Sequence, residues 1–80
     1  MKIKLIAYGI AKDIISVKEK ILVVSDDATI ETVKTRLLSD YPAFSNLRKL
    51  SFAVGVEYRE DSFQLNNGDE VVIIPPVSGG

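Results

Sequence analysis

The chain has 80 residues, 46% of them apolar, with ten basic and eleven acidic side chains and a formal charge of −1. One domain of this size buries only about 60% of its unfolded surface, and with no cysteine to staple it the chain needs a sheet packed on a helix. The absence of cysteine and histidine excludes thiol catalysis and thiolate metal sites and removes the commonest general base, so an enzyme acting alone is not expected.

The opening run Lys2-Ile3-Lys4-Leu5-Ile6-Ala7-Tyr8 begins with strand alternation. Gly9 to Ser16 reads as a turn or short helical piece carrying Ile10, Ile14 and Ile15. A second strand is predicted from about Lys20 to Ser25, closed by Asp26-Asp27, with Thr29 as the N-cap of the next element. From Ile30 the apolar spacing turns helical, with Ile30, Val33, Leu37, Leu38 and Tyr41 on one stripe. Pro42 predicts a helix end at Tyr41, because the residue before proline disfavours the α region. Phe44, Leu47 and Leu50 suggest a further helical turn capping the core. A third strand alternates Leu50, Phe52 and Val54 with Ser51 and Ala53, and Gly55-Val56 turns into a charged edge strand or loop over Glu57 to Asp61. Asn66-Asn67-Gly68-Asp69 is a turn signal that launches a last strand, Glu70 to Ile74.

Two strands, a crossover helix and further strands predict a single α+β domain over residues 1–80, with the helix laid across one face of the sheet. The compact form of that order is the β-grasp, or ubiquitin-like, arrangement: a mixed sheet of four to five strands with one main crossover helix. Its first and last strands lie parallel in the sheet centre. Lys2 and Lys4 must face water, since unpaired buried ammonium groups are costly, and the same parity sends Ile6 and Tyr8 outward. Glu70 likewise carries Val72 and Ile74 outward. These four apolar residues then form an exposed patch on the face away from the helix, which suits a protein contact. The alternative is that the short helical segments at residues 9–16 or 42–49 fold over it.

The tail Pro75-Pro76-Val77-Ser78-Gly79-Gly80 carries the functional reading. Paired prolines lack donors and hold φ near about −65°, so the sheet cannot zip onward, and they make a rigid spacer rather than a flexible linker. Gly79 and Gly80 let an extended chain enter a narrow channel without Cβ clashes. A terminal carboxylate is a poor electrophile until ATP converts it to an acyl-adenylate in a site that excludes water.

The stretch from Asn67 to Gly80, with its Asp69-Glu70, Pro75-Pro76 and Gly79-Gly80 pairs, resembles the end of the molybdopterin synthase small subunits, the MoaD-like sulfur carriers. Phe52-Ala53-Val54, Glu57-Tyr58 and the Tyr41-Pro42 helix end are similar to that family as well, although its members often have Asn where this chain has Gly55. The resemblance implies a carrier without cysteine. Its Gly80 carboxylate is adenylated by a MoeB-like partner, which uses ATP, and then becomes a thiocarboxylate through a sulfurtransferase or desulfurase. The tail enters a MoaE-like large subunit, where sulfur passes to cyclic pyranopterin monophosphate and two transfers build the dithiolene of molybdopterin. Catalytic side chains are implied on the large subunit, in a heterotetramer of two large and two small chains. No permanently bound cofactor and no metal are implied, and Pro75, Pro76, Val77, Ser78 and Gly79 join Ile6, Tyr8, Val72 and Ile74 as partner-binding residues.

Three rival readings stand beside it: a ThiS-like carrier of thiamine biosynthesis, a ubiquitin-like modifier joined through Gly80 to target lysines, and a β-grasp binding module with an incidental Gly-Gly. Those thiamine carriers tend to be shorter and usually lack the paired prolines. The acidic pairs Asp26-Asp27, Glu60-Asp61 and Asp69-Glu70 fit turn solvation better than metal or acid–base chemistry, and Lys34, Arg36, Arg48 and Lys49 fit a solvated face. Tyr58 is open between edge-strand packing and partner contact. No block of like charge suits nucleic acid or an anionic membrane. With neither a signal-peptide pattern nor an apolar run of about 18 residues, a soluble cytoplasmic protein is expected.

Overall fold

The computed structural model describes residues 1–47 and 49–75. In chain order its elements are β1 (Lys2–Ala7), α1 (Gly9–Ile15), β2 (Glu19–Val23), α2 (Ile30–Asp40), a 3-10 turn (Pro42–Asn46), β3 (Ser51–Val54), β4 (Glu57–Arg59) and β5 (Glu70–Ile74). The five strands lie in the order β2-β1-β5-β3-β4. β5 is central, parallel to β1 with Leu5 beside Val71, and antiparallel to β3 with Phe52 beside Ile73. This is the α+β, β-grasp arrangement expected from the order of elements.

Alternation sorts the strands into two faces. Ile3, Leu5, Ala7, Leu22, Phe52, Val71 and Ile73 are buried on the inner face against Ile30, Val33 and Leu37 of α2. Ala11 and Ile15 of α1 and Phe44 of the 3-10 turn join that same core. The two short helical segments therefore side with α2, and the alternative in which they cover the opposite face does not hold for their described residues. Leu65 is fully buried although it lies in no helix or strand; its N–H donates to Ala28 O at 3.0 Å.

Helix α2 begins where Thr29 forms a reciprocal cap: Thr32 N–H donates to Thr29 Oγ1 at 3.4 Å, and Thr29 N–H to Thr32 Oγ1 at 3.0 Å. Thr29→Ala removes one acceptor and is expected to cost about 1 kcal/mol, read as a melting temperature lower by about 4–8 °C. An unchanged melting temperature would show that the cap is dispensable. At the other end Tyr41 N–H donates to Leu37 O at 2.8 Å before Pro42 stops the helix. Leu38, placed on the apolar stripe from sequence, lies at its margin and is partly exposed.

Strand ends differ slightly from expectation. β2 starts at Glu19 and stops at Val23, and β3 starts at Ser51. The turn before β5 follows the expected chemistry: Gly68 adopts φ 87° and Asp69 Oδ2 accepts from Asn66 N–H at 2.8 Å.

Candidate functional site

The outer sheet face is built by the register. Ile6 lies beside Val72, Val72 beside Ala53, and Ala53 beside Tyr58, so one row crosses four strands. Ile74 is paired with Ser51 at the end of β5. The parallel register ends with Ala7 beside Ile73, and Tyr8 and Ile74 are the next residues along the two segments. Ile6, Val72 and Ile74, expected on this face, are on it and half-buried; Tyr8, just past the end of β1, is 53% exposed. Strand parity had to place them there, because the opposite parity would bury Lys2, Lys4 and Glu70.

The row also contains a residue left open from sequence. Tyr58 is 69% exposed and stands beside Ala53 on the outer face, which resolves its orientation. A strand of three residues flanked by charges offers too little alternation to reveal this in advance. Lys18 Nζ lies 5.8 Å from the Tyr8 ring centroid, a cation–π distance at the patch margin. On the other side, Lys4 reaches Glu19 at 3.6 Å and Glu70 at 3.9 Å, so a charged row bounds the apolar patch.

The patch and the tail share one end of the sheet. Parallel strands end on the same side, so Pro75 departs next to the β1–α1 junction, where Tyr8 O accepts from Ala11 N–H at 3.1 Å. Pro75 is half-buried. Pro76, Val77, Ser78, Gly79 and Gly80, on which the terminal chemistry was expected, lie outside the described residues.

Several other charged groups are paired structurally. Lys34 Nζ donates to Asp61 at 3.1 Å, Asp26 meets the Met1 amino group at 3.2 Å, and Arg36 Nε meets Asp40 at 3.2 Å. A cleft of about 540 Å³ runs between α2 and β4, lined by Lys34, Lys49 and Arg59 against Glu31, Glu60 and Asp61. Its charges balance, and Arg59 within it stacks 4.5 Å from the Phe63 ring. Among the described residues no group of three or more metal-ligating side chains converges.

The ThiS family model matches residues 7–80. The molybdopterin synthase sulfur carrier subunit of Chlamydomonas reinhardtii is 34% identical over 83 aligned positions, covering all of both chains. Among solved structures, the putative molybdopterin converting factor subunit 1 of Pyrococcus furiosus superposes with a TM-score of 0.87 at 19% identity, over 96% of this chain and 99% of that one. The complex of subunits 1 and 2 of the molybdopterin-converting factor of Helicobacter pylori gives 0.68 at 18% identity, over the full length of both chains. At these identities the structural likeness bears on the fold.

A β-grasp domain with an open apolar face beside its C-terminal strand end, matched over nearly its whole length by that family model, belongs to the ThiS family. Within the family its full-length relatives are molybdopterin synthase sulfur carrier subunits, and the chain is MoaD-like, with a role in molybdenum cofactor biosynthesis. The family model bears the name of one of the rival readings; the full-length relatives favour the molybdopterin branch.

Proposed function

We propose that this chain carries sulfur on Gly80 for molybdopterin synthase. A MoeB-like enzyme joins the Gly80 carboxylate to AMP from ATP, releasing pyrophosphate. Sulfur supplied by a sulfurtransferase or desulfurase then displaces AMP and leaves a thiocarboxylate. The tail delivers that sulfur to cyclic pyranopterin monophosphate inside a MoaE-like large subunit, in an assembly of two large and two small chains. The general acids, bases and substrate-binding groups belong to the large subunit, and this chain has no catalytic activity alone. ATP is consumed by the activating partner and no permanently bound cofactor is required. The cytoplasm is its expected location; among the described residues no helix is long and apolar enough to cross a membrane.

The observation that carries this reading is the apolar row Ile6–Val72–Ala53–Tyr58, which crosses the middle of β5, the strand that precedes the Gly79-Gly80 tail in sequence. A partner seated on that row holds the domain while Pro75 and Pro76 direct the chain into its active site. Val77, Ser78 and Gly79 then serve as contacts along the channel, and Ile74 and Tyr8 as contacts at its mouth. The large-subunit partner fits the two-subunit complex of the Helicobacter pylori protein.

Intact mass after incubation with ATP, activating enzyme and sulfur donor tests it. The expected product gains the difference between one sulfur and one oxygen, located to Gly80 by fragmentation. Isopeptide adducts on lysines of other proteins, with no such gain, would replace the carrier by a modifier.

A further inference from the structure

Strand β2 forms one edge of the sheet, and its hydrogen bonding leaves a template facing outward. Val24 N–H donates to Met1 O at 2.9 Å and Ala7 N–H to Lys18 O at 2.8 Å. Bonded and non-bonded pairs alternate in an antiparallel ladder. With Lys2 beside Val23 and Ile6 beside Glu19, the backbone groups of Glu19, Ile21 and Val23 point away from β1. One of these, Val23 O, is held from outside by Arg36 Nη1 at 3.2 Å. The opposite edge, β4, has only three residues.

The two faces of this edge differ in chemistry. Ile21 and Val23 share the outer face and are 56% and 63% exposed. The opposite parity belongs to Lys18 and Lys20, on the helix side, where Lys20 Nζ donates to Tyr41 Oη at 2.6 Å. Arg36 reaches the edge from α2 on that same side. A strand laid along β2 thus meets Ile21 and Val23, next to Glu19, on its outer side, and Lys18, Lys20 and Arg36 around the buried Leu22 on its helix side. The charged row of Lys4, Glu19 and Glu70 separates Ile21 and Val23 from the tail-side patch.

We propose that the outer edge of β2 is a second docking site, which takes an extended segment of a partner protein with alternating apolar and acidic residues. Ladder hydrogen bonds supply affinity and the alternating side chains supply register. A carboxylate of the incoming strand draws Arg36 from Val23 O and frees that carbonyl for the ladder. A second copy of β2 fits less well, because it brings Lys18, Lys20 and Arg36 against the same cations.

The probe is a blocked nine-residue peptide alternating Val and Glu, with a twin in which Lys replaces Glu, titrated into the full ¹⁵N-labelled chain. Binding is expected to slow hydrogen exchange at the Glu19, Ile21 and Val23 amides while leaving Val72 and Ile74 unchanged. Ile21→Glu and the Lys twin are each expected to weaken binding at least about tenfold, since each replaces a favourable cross-strand pair by an unfavourable one. The site is overturned if those three amides keep their exchange rates, if both peptides bind equally, or if the shifts centre on Val72. Light scattering that shows a dimer with the same amides protected would instead assign the edge to a second copy. None of these readouts involves Gly80, so they stand apart from the fate of the sulfur-carrier reading.

Discussion

Adding one alanine after Gly80 is expected to lower dithiolene formation at least about a hundredfold, because misplacing a reacting atom by even about 1 Å costs that much. The melting temperature should not move, since no core residue is touched. The chain has no cysteine or histidine, and the sulfur-bearing group proposed above is the carboxyl carbon of Gly80. An added methyl side chain occupies the width that Gly79 and Gly80 leave empty, and the extra residue displaces the acyl carbon by one peptide length. The measurement is product formation with purified large subunit, alongside the yield of thiocarboxylate by intact mass. A normal rate from the extended chain would mean that the terminus does not carry the sulfur.

Ile74→Glu is expected to weaken binding to the large subunit by about thirtyfold or more, the scale of a central interface residue, and to leave the fold intact. Ile74 is half-buried at the mouth of the tail and paired with Ser51 at the end of β5. Seating a partner there would bury the new carboxylate without a counter-charge, since Lys4 is already shared between Glu19 and Glu70. In the free domain the same carboxylate stays in water, so its cost is limited to strand propensity, at most about 1 kcal/mol. Titration calorimetry with the large subunit checks the first effect and a urea melt the second. Unchanged affinity would move the interface off the outer face, whereas a large stability loss would mean that Ile74 serves the core.

Much of this arrangement was legible in the residues because charged side chains fix strand parity. Lys2, Lys4 and Glu70 cannot be buried unpaired, and that alone placed Ile6, Val72 and Ile74 on the outer face where the register has them. The ends of α2 were legible for a similar reason, as Thr29 and Pro42 act through local geometry. What stayed hidden depends on contacts distant in sequence. Leu65 sits among polar residues in no periodic pattern, and is buried because its N–H bonds Ala28 O while Gln64 bonds the same carbonyl at 3.0 Å. Tyr58 acquires a definite face only through pairing with Ala53. The exposed edge of β2 was masked because Ile21-Leu22-Val23-Val24 reads as a continuous apolar run, which suits a strand buried on both faces.

The parallel pairing of β1 with β5 joins segments such as Leu5 and Val71 that are nearly a chain length apart. Such pairing is intrinsically slow to form, because the intervening loop must close before any contact rewards it. A nascent polypeptide still short of Glu70 has no strand to occupy the gap between β1 and β3. The domain can therefore mature only once translation has passed β5, and a product cut short before that point would lack both the sheet centre and the glycines beyond it.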